Sequence, residues 1–328
     1  MARSEGIARV LRKQPPMRRV VWATLPCIFG GVYFFGWQVA ASVVFCCIIG
    51  FLTEYLFCRK RGEAVSEAVF VTAILYALII PPDVGWHVQM VGVVFAVVFS
   101  KEVFGGFGRN PFNPAMAGRC FVYVCFPVAL TGRWPASAPL AFPGALGQWS
   151  TASMTDAITS ATPMAVMKAE GVVPSLSELF FGGISGSAGV TSAMLILIGG
   201  IYLFWTKTAS RAIILTLIIS YAVINQSLAW LGVERFYGAL PALLGGGFLF
   251  GAFYMATDPV SGPKTKQGKI VFGILVAIFV SVIRNYSIFN GGLMFSILLG
   301  NMFMPIIDYA FKGAATKKKA ALAARGGQ

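Results

Sequence analysis

A succession of ten apolar segments, separated by short polar or basic stretches, constrains the fold of this chain more than any other feature. Of its residues, 57% are hydrophobic and only 12% are charged. A soluble domain carries about 25% charged residues, so this chain has too few charged side chains to cover a surface in water. The sequence therefore predicts an all-α polytopic membrane protein. The apolar segments cover about 20–37, 39–57, 67–80, 85–100, 111–130, 190–206, 211–231, 238–257, 269–284 and 291–311.

Several of these segments are shorter than a membrane span requires. A helix needs about 20 apolar residues to cross the hydrocarbon core of a bilayer. The segments at 67–80, 85–100 and 269–284 are shorter than that. We therefore expect interrupted or half-inserted helices among the ten.

The Lys and Arg residues, which produce a net charge of +14, are distributed unequally along the chain. If the amino terminus is inside, the inside loops and tails hold 21 of them and the outside loops hold four. Cytoplasmic loops of membrane proteins carry such an excess, so both termini are predicted to be cytoplasmic. The positive charge thus indicates topology and not a nucleic-acid partner. The predicted parts are a basic cytoplasmic tail (1–19), a first transmembrane half (20–130), an external loop (131–189), a second transmembrane half (190–311) and another basic cytoplasmic tail (312–328).

The two predicted halves share a short pattern. In the stretches 73–81 and 251–259, a span that contains a tyrosine ends at a proline five residues beyond that tyrosine. The first stretch runs outwards and the second inwards in the predicted topology. Two five-helix halves of opposite orientation form an inverted repeat, a fold that often places its sites on interrupted helices between the repeats.

Three carboxylates near the ends of apolar segments are candidates for an ion path: Glu102, Asp258 and Asp308. Charges inside membrane spans are costly and often mark function. Glu102 and Asp258 lie near glycines or prolines that free backbone carbonyls, and carboxylate and carbonyl oxygens suit a hard cation. The alternative is interfacial charge at helix ends, which is the interpretation favoured for Glu54.

No metal site is predicted from the sequence. The six cysteines form no C-x-x-C motif, and the single histidine, His87, has no partner motif. Small buried apolar residues are the default interpretation of such cysteines. A metal or cluster shared with another subunit is the alternative.

Two polar stretches could carry a ligand. Asn110 and Asn113 belong to an Asn-Pro-Phe-Asn-Pro run, with Arg119 soon after it inside the fifth segment. Prolines at both ends break the helix, which makes either a structural hinge or the wall of a pocket. The other stretch, 155–163, lies in the predicted external loop and is rich in hydroxyl groups. It is either a capped helix start or an attachment site for a cofactor.

Several of these stretches together resemble the NqrB/RnfD family. These proteins are the membrane flavoprotein subunits of the sodium-pumping NADH:quinone oxidoreductase and of the Rnf ferredoxin:NAD oxidoreductase. The resemblance covers nearly the whole chain after the basic tail. It rests on motifs that occur in the same order at 101–106, 110–116, 255–261 and 305–308.

The resemblance implies FMN bonded through its phosphate to a threonine on the external side. A separate flavin transferase, which uses FAD, makes this bond in the family. The family pattern is roughly Asp-x-x-Ser/Thr-Gly/Ala-Ala-Thr, and Thr162 would carry the flavin. Ser160 stands where a glycine is usual. The matching residues in this sequence are Asp156, Thr159, Ser160, Ala161 and Thr162.

The resemblance also implies a place for the chain in a respiratory complex of the bacterial cytoplasmic (inner) membrane. The implied partners are the other subunits, membrane lipid and a transported ion, either Na⁺ or H⁺. In the sodium-pumping branch, riboflavin as a second flavin and reduction of quinone are implied as well. The motifs leave the Rnf and sodium-pumping branches open. An inverted-repeat secondary transporter without a redox cofactor is the alternative function, and a purely structural subunit is another.

Overall fold

The structure is a computed structural model that describes residues 10–132, 134–151, 162–287 and 292–326. The described chain is mostly helical, with one short pair of parallel strands, β1 (Leu11–Arg12) and β2 (Val65–Ser66). The helices before the long connection are α1 (Pro15–Phe35), α2 (Gln38–Arg61), α3 (Ala68–Ile79), α4 (Trp86–Val97), α5 (Pro114–Cys125) and α6 (Pro127–Thr131). The later helices are α7 (Pro163–Glu170), α8 (Leu176–Phe181), α9 (Ala193–Trp205), α10 (Arg211–Trp230), α11 (Ala239–Leu244), α12 (Phe248–Phe250), α13 (Lys266–Tyr286) and α14 (Leu293–Gly326).

Within the described ranges, four helices are long and apolar enough to cross a membrane: α2, α10, α13 and the Leu293–Gly313 part of α14. Each buries only part of its apolar surface inside the protein. On α2, for example, Leu52 and Leu56 lie one turn apart and are exposed, as are Ile219 and Val223 on α10. Apolar helix faces of this kind suit a lipid environment. This architecture is that of a helical membrane protein.

Helices are interrupted where the sequence places prolines and glycines. Helix α3 ends at Ile79, just before Pro81 and Pro82. The apolar segment predicted at 238–257 is split into α11 and α12 by three glycines, of which Gly246 and Gly247 have positive φ angles of 57° and 66°. Residues other than glycine rarely adopt such angles, so the glycines end α11 and restart the helix as α12.

Two helices continue into π-helical turns near the candidate residues. Helix α4 is followed by the turn Val98–Glu102, and α12 is followed by the turn Gly251–Met255. A π-helical turn adds a residue to the local hydrogen-bonding loop and is frequent at functional sites. These turns place Glu102 and the 257–261 stretch at the ends of broken helices.

The ends of the chain differ from the predicted tails. Helix α1 begins at Pro15, inside the predicted basic tail, and α14 continues to Gly326 through the lysine-rich stretch predicted as a tail from 312. Ala and Lys, which dominate that stretch, are strong helix formers. Local propensity therefore extends the last helix beyond its apolar part.

Close contacts join the early and late helices. Gly199 on α9 lies against α1, where an added Cβ would come within 1.9 Å of the Ala23 carbonyl oxygen. The Tyr254 hydroxyl lies 3.0 Å from that same oxygen and 3.2 Å from the carbonyl oxygen of Ile196 on α9. The turn that follows α12 is thereby fixed against both α1 and α9.

Candidate functional site

A cavity of about 560 Å³ lies where stretches from both parts of the chain meet. We call it the large cavity. Its walls include Lys101, Asn110, Asn113, Thr257 and Asp258. Binding sites for small molecules have volumes of about 300–1,000 Å³. The structure therefore brings Asn110 and Asn113 together with Asp258, which the sequence singled out separately from them, at a place with room for a small-molecule ligand.

Asn113 links the two sides of this cavity. Its Oδ1 accepts a hydrogen bond from the backbone N–H of Met116 (3.2 Å) and so caps the start of α5. Its Nδ2 donates to the carbonyl oxygen of Met255 (3.1 Å), in the turn after α12. Pro111 and Pro114 have no N–H to donate. The asparagine side chains therefore supply the polar contacts of this motif.

Asp258 closes a tight turn at the wall of the large cavity. Its carboxylate accepts hydrogen bonds from the backbone N–H of Val260 (3.2 Å) and the hydroxyl of Ser261 (2.6 Å). The side chain of Asn110, which donates to the Phe112 carbonyl at 3.1 Å, also interacts with this carboxylate. The result is a half-buried carboxylate, held by protein donors, that faces a cavity.

Glu102 belongs to a buried ion cluster that we define as Glu54, Arg61, Lys101 and Glu102. Lys101 Nζ lies 2.5 Å from Glu54 Oε2, and the two side chains are only 2% and 1% exposed. Arg61 pairs with one oxygen of Glu102, and the other oxygen, Oε1, has no partner within the described chain. The interpretation of Glu54 as an interfacial charge is wrong, because β2 and the turn after α4 enclose it and the Ser66 N–H donates to it.

The hydrogen bonds of Asp308 lie outside the large cavity, at the start of α13. Its carboxylate accepts hydrogen bonds from the backbone N–H groups of Lys264 (2.9 Å) and Thr265 (3.1 Å) and from the Thr265 hydroxyl (2.6 Å). Thr265 is the residue that caps α13. Asp308 therefore joins α14 to the start of α13, and it is not among the described residues that line the large cavity.

Thr162 borders a second, smaller cavity of about 100 Å³, which we call the Thr162 cleft. Thr162 is half-buried and immediately precedes α7, with Pro163 as the first residue of that helix. Arg119 lines the same cleft, and its Nε has no partner in the described part of the chain. Gly246 and Gly247 form part of the wall. The predicted residues Asp156, Thr159, Ser160 and Ala161 lie outside the described residues.

Arg284 binds the glycine-containing wall of the Thr162 cleft through the carbonyl oxygen of Gly246. The sequence analysis did not identify Arg284 as a candidate residue. The count of basic residues placed it in an outside loop, which is wrong: it lies in the last turn of α13 and is 2% exposed. Its guanidinium donates to the carbonyl oxygens of Ala242 (3.1 Å) and Gly246 (3.0 Å) and to the Tyr221 hydroxyl (3.0 Å). These carbonyls belong to the helix break, where no next helical turn satisfies them. Two features of the sequence could have indicated this role of Arg284: it is a single arginine at the end of an apolar segment, and a Gly-Gly-Gly run at 245–247 interrupts another apolar segment.

The sequence profile of the NQR2, RnfD, RnfE family matches residues 8–317 of this chain. The chain belongs to that family. It is similar to a subunit of the ion-translocating oxidoreductase complex of Alcanivorax borkumensis, with 32% identity over 306 residues and 89% of each chain covered. The corresponding protein of Aliivibrio salmonicida is 33% identical over 91% of this chain and 93% of the relative. A subunit of the Na(+)-translocating NADH-quinone reductase of Chromohalobacter salexigens is 36% identical over 91% and 70%, respectively.

The stretch matched by the NQR2, RnfD, RnfE family contains both cavities and every candidate residue. It begins before β1 and ends within α14. Relatives from the two kinds of complex are similar to this chain at nearly the same level of identity. The large cavity, the buried ion cluster and the Thr162 cleft therefore all lie in the part of the chain that defines the family.

Proposed function

We propose that this chain is a membrane subunit of an ion-translocating redox complex of the Rnf or Na⁺-NQR type, which carries FMN bonded to Thr162 and passes electrons in a process coupled to Na⁺ or H⁺ transport. The relatives are named as subunits of an ion-translocating oxidoreductase complex or of a Na(+)-translocating NADH-quinone reductase. The observation that carries the cofactor assignment is the position of Thr162 at a cleft that also contains the unpartnered Nε of Arg119, among the described residues. FMN, when bound, would supply the electron-transfer chemistry.

The residues of the Thr162 cleft fit a phosphate-linked flavin. Thr162 stands at the amino-terminal end of α7, where the helix dipole favours a negatively charged group such as a phosphodiester. A side chain at Gly247 would meet Val190 at 2.3 Å, and one at Gly246 would meet Met164 at 2.8 Å. Glycine is therefore required at both positions for the close packing of the cleft wall. Arg119 would offer a donor to a phosphate or flavin oxygen.

Substitution of Thr162 tests the attachment. The chain would be produced together with a flavin transferase and denatured on a gel, where only covalently bound flavin stays with the polypeptide. We expect fluorescence from the wild type and its complete loss in Thr162→Ala, because the phosphodiester needs the hydroxyl. Ser160→Ala is the matched control and should keep the signal. Unchanged fluorescence in Thr162→Ala, or its loss only in Ser160→Ala, would refute the assignment to Thr162.

We further propose that the large cavity holds a second, non-covalent flavin or, in a quinone-reducing complex, a quinone. The walls combine the amide groups of Asn110 and Asn113 with apolar surface from Ala115, Leu203 and Phe253. A planar ligand with polar edges matches such walls. Riboflavin is the flavin that the family resemblance implies. Equilibrium binding of riboflavin to the purified complex, weakened in Asn110→Ala, would support this assignment.

The ion path is proposed to involve Glu102, Asp258 and Asp308. We expect Glu102→Gln and Asp258→Asn to lower ion pumping by reconstituted complex more than they lower assembly, because each removes a carboxylate from a broken helix end. Glu178→Gln is the matched control, since Glu178 is an exposed acid on α8 that belongs neither to the buried ion cluster nor to the wall of the large cavity. Normal pumping in both variants would contradict the proposal. Measurement of turnover with and without Na⁺ would identify the ion.

A ten-span inverted repeat in the inner membrane, with cytoplasmic termini and an external 131–189 loop, is part of this proposal. Four long apolar helices and the broken helices α3 and α11–α12 support it. The second candidate function, a secondary transporter, is favoured by those same broken helices. Substrate uptake by the purified chain in liposomes, without bound flavin, would support the transporter function over the redox function.

A further inference from the structure

A third cavity, of about 20 Å³, lies among cationic side chains. Lys168 of α7, Arg235 of the connection between α10 and α11, and Arg284 of α13 all line it. No Asp or Glu is among its described lining residues, and none of these cations forms an ion pair within the described chain. We call it the cationic cavity. Its positive charge has no counterpart in the described protein around it.

Two buried donors at this cavity are unused. Lys168 Nζ is closed to solvent and has no hydrogen-bond partner within the described ranges, and the same holds for Arg284 Nε. The Tyr221 hydroxyl, also in the wall, accepts a hydrogen bond from Arg284 (3.0 Å), which leaves its own O–H free to donate. An unsatisfied buried donor is unfavourable, and an unpaired buried charge is more so. The site is thus rich in hydrogen-bond donors.

We propose that the cationic cavity binds a single monoatomic anion, namely chloride. A cavity needs roughly 10–15 Å³ to hold one water molecule, so about 20 Å³ accepts one particle of that size. A monoatomic anion suits this small space better than a phosphate, a sulfate or the carboxylate of a metabolite, all of which are larger. A halide ion accepts hydrogen bonds from several directions and donates none, which matches the unused donors. Water could satisfy some of them but would leave the charge uncompensated.

The electrostatic state of Lys168 supports an anion at this place. Burial lowers the pKa of its amine, and the neighbouring Arg235 lowers it further. A bound anion would oppose both effects and keep Lys168 protonated. The ion would also tie α7 to α13 through Lys168 and Arg284. This inference does not rest on the proposed flavin, because the unused donors belong to the protein alone.

Binding of radioactive chloride to the purified, detergent-solubilised complex tests the site directly. We expect saturable binding of one ion per copy of this chain. Lys168→Met should weaken it by about tenfold or more, since it removes a buried charge that contacts the ion. Lys60→Met makes the same substitution at an exposed lysine and should leave binding unchanged. If Lys168→Met fails to assemble, Arg235→Gln is the second variant, with a smaller expected loss of affinity because Arg235 is exposed.

Thermal unfolding supplies a second measurement. At equal ionic strength, wild-type complex in sodium chloride should unfold on the order of 2–4 °C above complex in sodium gluconate, and Lys168→Met should abolish this difference. Absence of saturable chloride binding to the wild type would overturn the proposal, including the case in which a partner's carboxylate fills the cavity. Unaltered chloride affinity in both Lys168→Met and Arg235→Gln would overturn it as well.

Discussion

Glu54 and Lys101 form an ion pair that excludes solvent almost completely from both partners. Removing two charges from water costs several kcal/mol for each ion, and their mutual attraction repays this only with good geometry and further hydrogen bonds. Glu54 has such a bond from the Ser66 N–H (3.0 Å). The pair therefore depends on the simultaneous presence of its two members.

Removal of one charge of the Glu54–Lys101 pair should destabilise the protein more than removal of both charges. We expect Lys101→Met to destabilise the chain by about 3–5 kcal/mol, because Glu54 would remain buried without its counter-charge. The double variant Glu54→Gln/Lys101→Met should recover part of that loss. Thermal unfolding of the single and double variants in detergent measures both effects. Additive losses in the double variant would show that the two side chains do not act as a pair.

At the scale of elements, helices approach each other most closely at helical glycines, which have no side chain. An added Cβ at Gly199 would lie 1.9 Å from the Ala23 carbonyl oxygen and 2.2 Å from the Tyr254 hydroxyl. Small residues allow membrane helices to approach each other in this way. The α1–α9 contact and the position of the turn after α12 thus depend on the same residue.

Gly199→Ala should therefore push α1 and α9 apart. We expect a loss of about 1–3 kcal/mol, the usual effect of overpacking a close contact, although alanine favours a helix more than glycine does. Gly147→Ala is the matched control, because nothing lies within 4 Å of its added Cβ. Thermal unfolding compares the two variants. Equal stability of Gly199→Ala and wild type would show that the contact can relax without cost.

At the scale of the whole molecule, orientation in the membrane decides which cavity faces which compartment. The proposed orientation places the Thr162 cleft externally and the buried ion cluster, with the large cavity, towards the cytoplasm. Electrons would then have to cross the membrane to reach FMN on Thr162. The distribution of basic residues supports this orientation.

Labelling of single cysteines tests the orientation. In a variant whose six native cysteines, all free where described, are replaced by alanine, Gly147→Cys should react with a membrane-impermeant maleimide in intact cells. Lys60→Cys, exposed at the end of α2, should react only after the cells are permeabilised. Each position controls for the other. The reverse labelling pattern would invert the proposed topology.

The parts of the fold that follow from local pattern were predictable from sequence. Apolar length and the low share of charged residues indicate a helical membrane protein, because an unpaired backbone is too costly in lipid. Pro81 marks the end of α3 as the sequence predicts, whereas the break at the glycines 245–247 falls inside a segment that was predicted as one apolar run. The extension of α14 was missed, because hydropathy marks the end of a span and not the end of a helix.

The environment of each candidate residue was not predictable in the same way. Glu54 and Arg284 look interfacial in sequence, but both are buried, because helices distant in the chain enclose them. Asn113 and Met255 are 142 positions apart and share a hydrogen bond. Such contacts depend on how helices pack, which short-range patterns do not encode.

The sequence alone thus determined the class of the protein, the helix end at Pro81 and the candidate residues, since these depend on the hydrophobicity and backbone preferences of neighbouring residues. Only the tertiary structure decided that Asn110, Asn113 and Asp258 share one cavity, that Thr162 shares another with Arg119, and that Lys168 and Arg284 line a third. The reason is physical: buried polar groups must find partners, and those partners come from whichever helix the packing brings near.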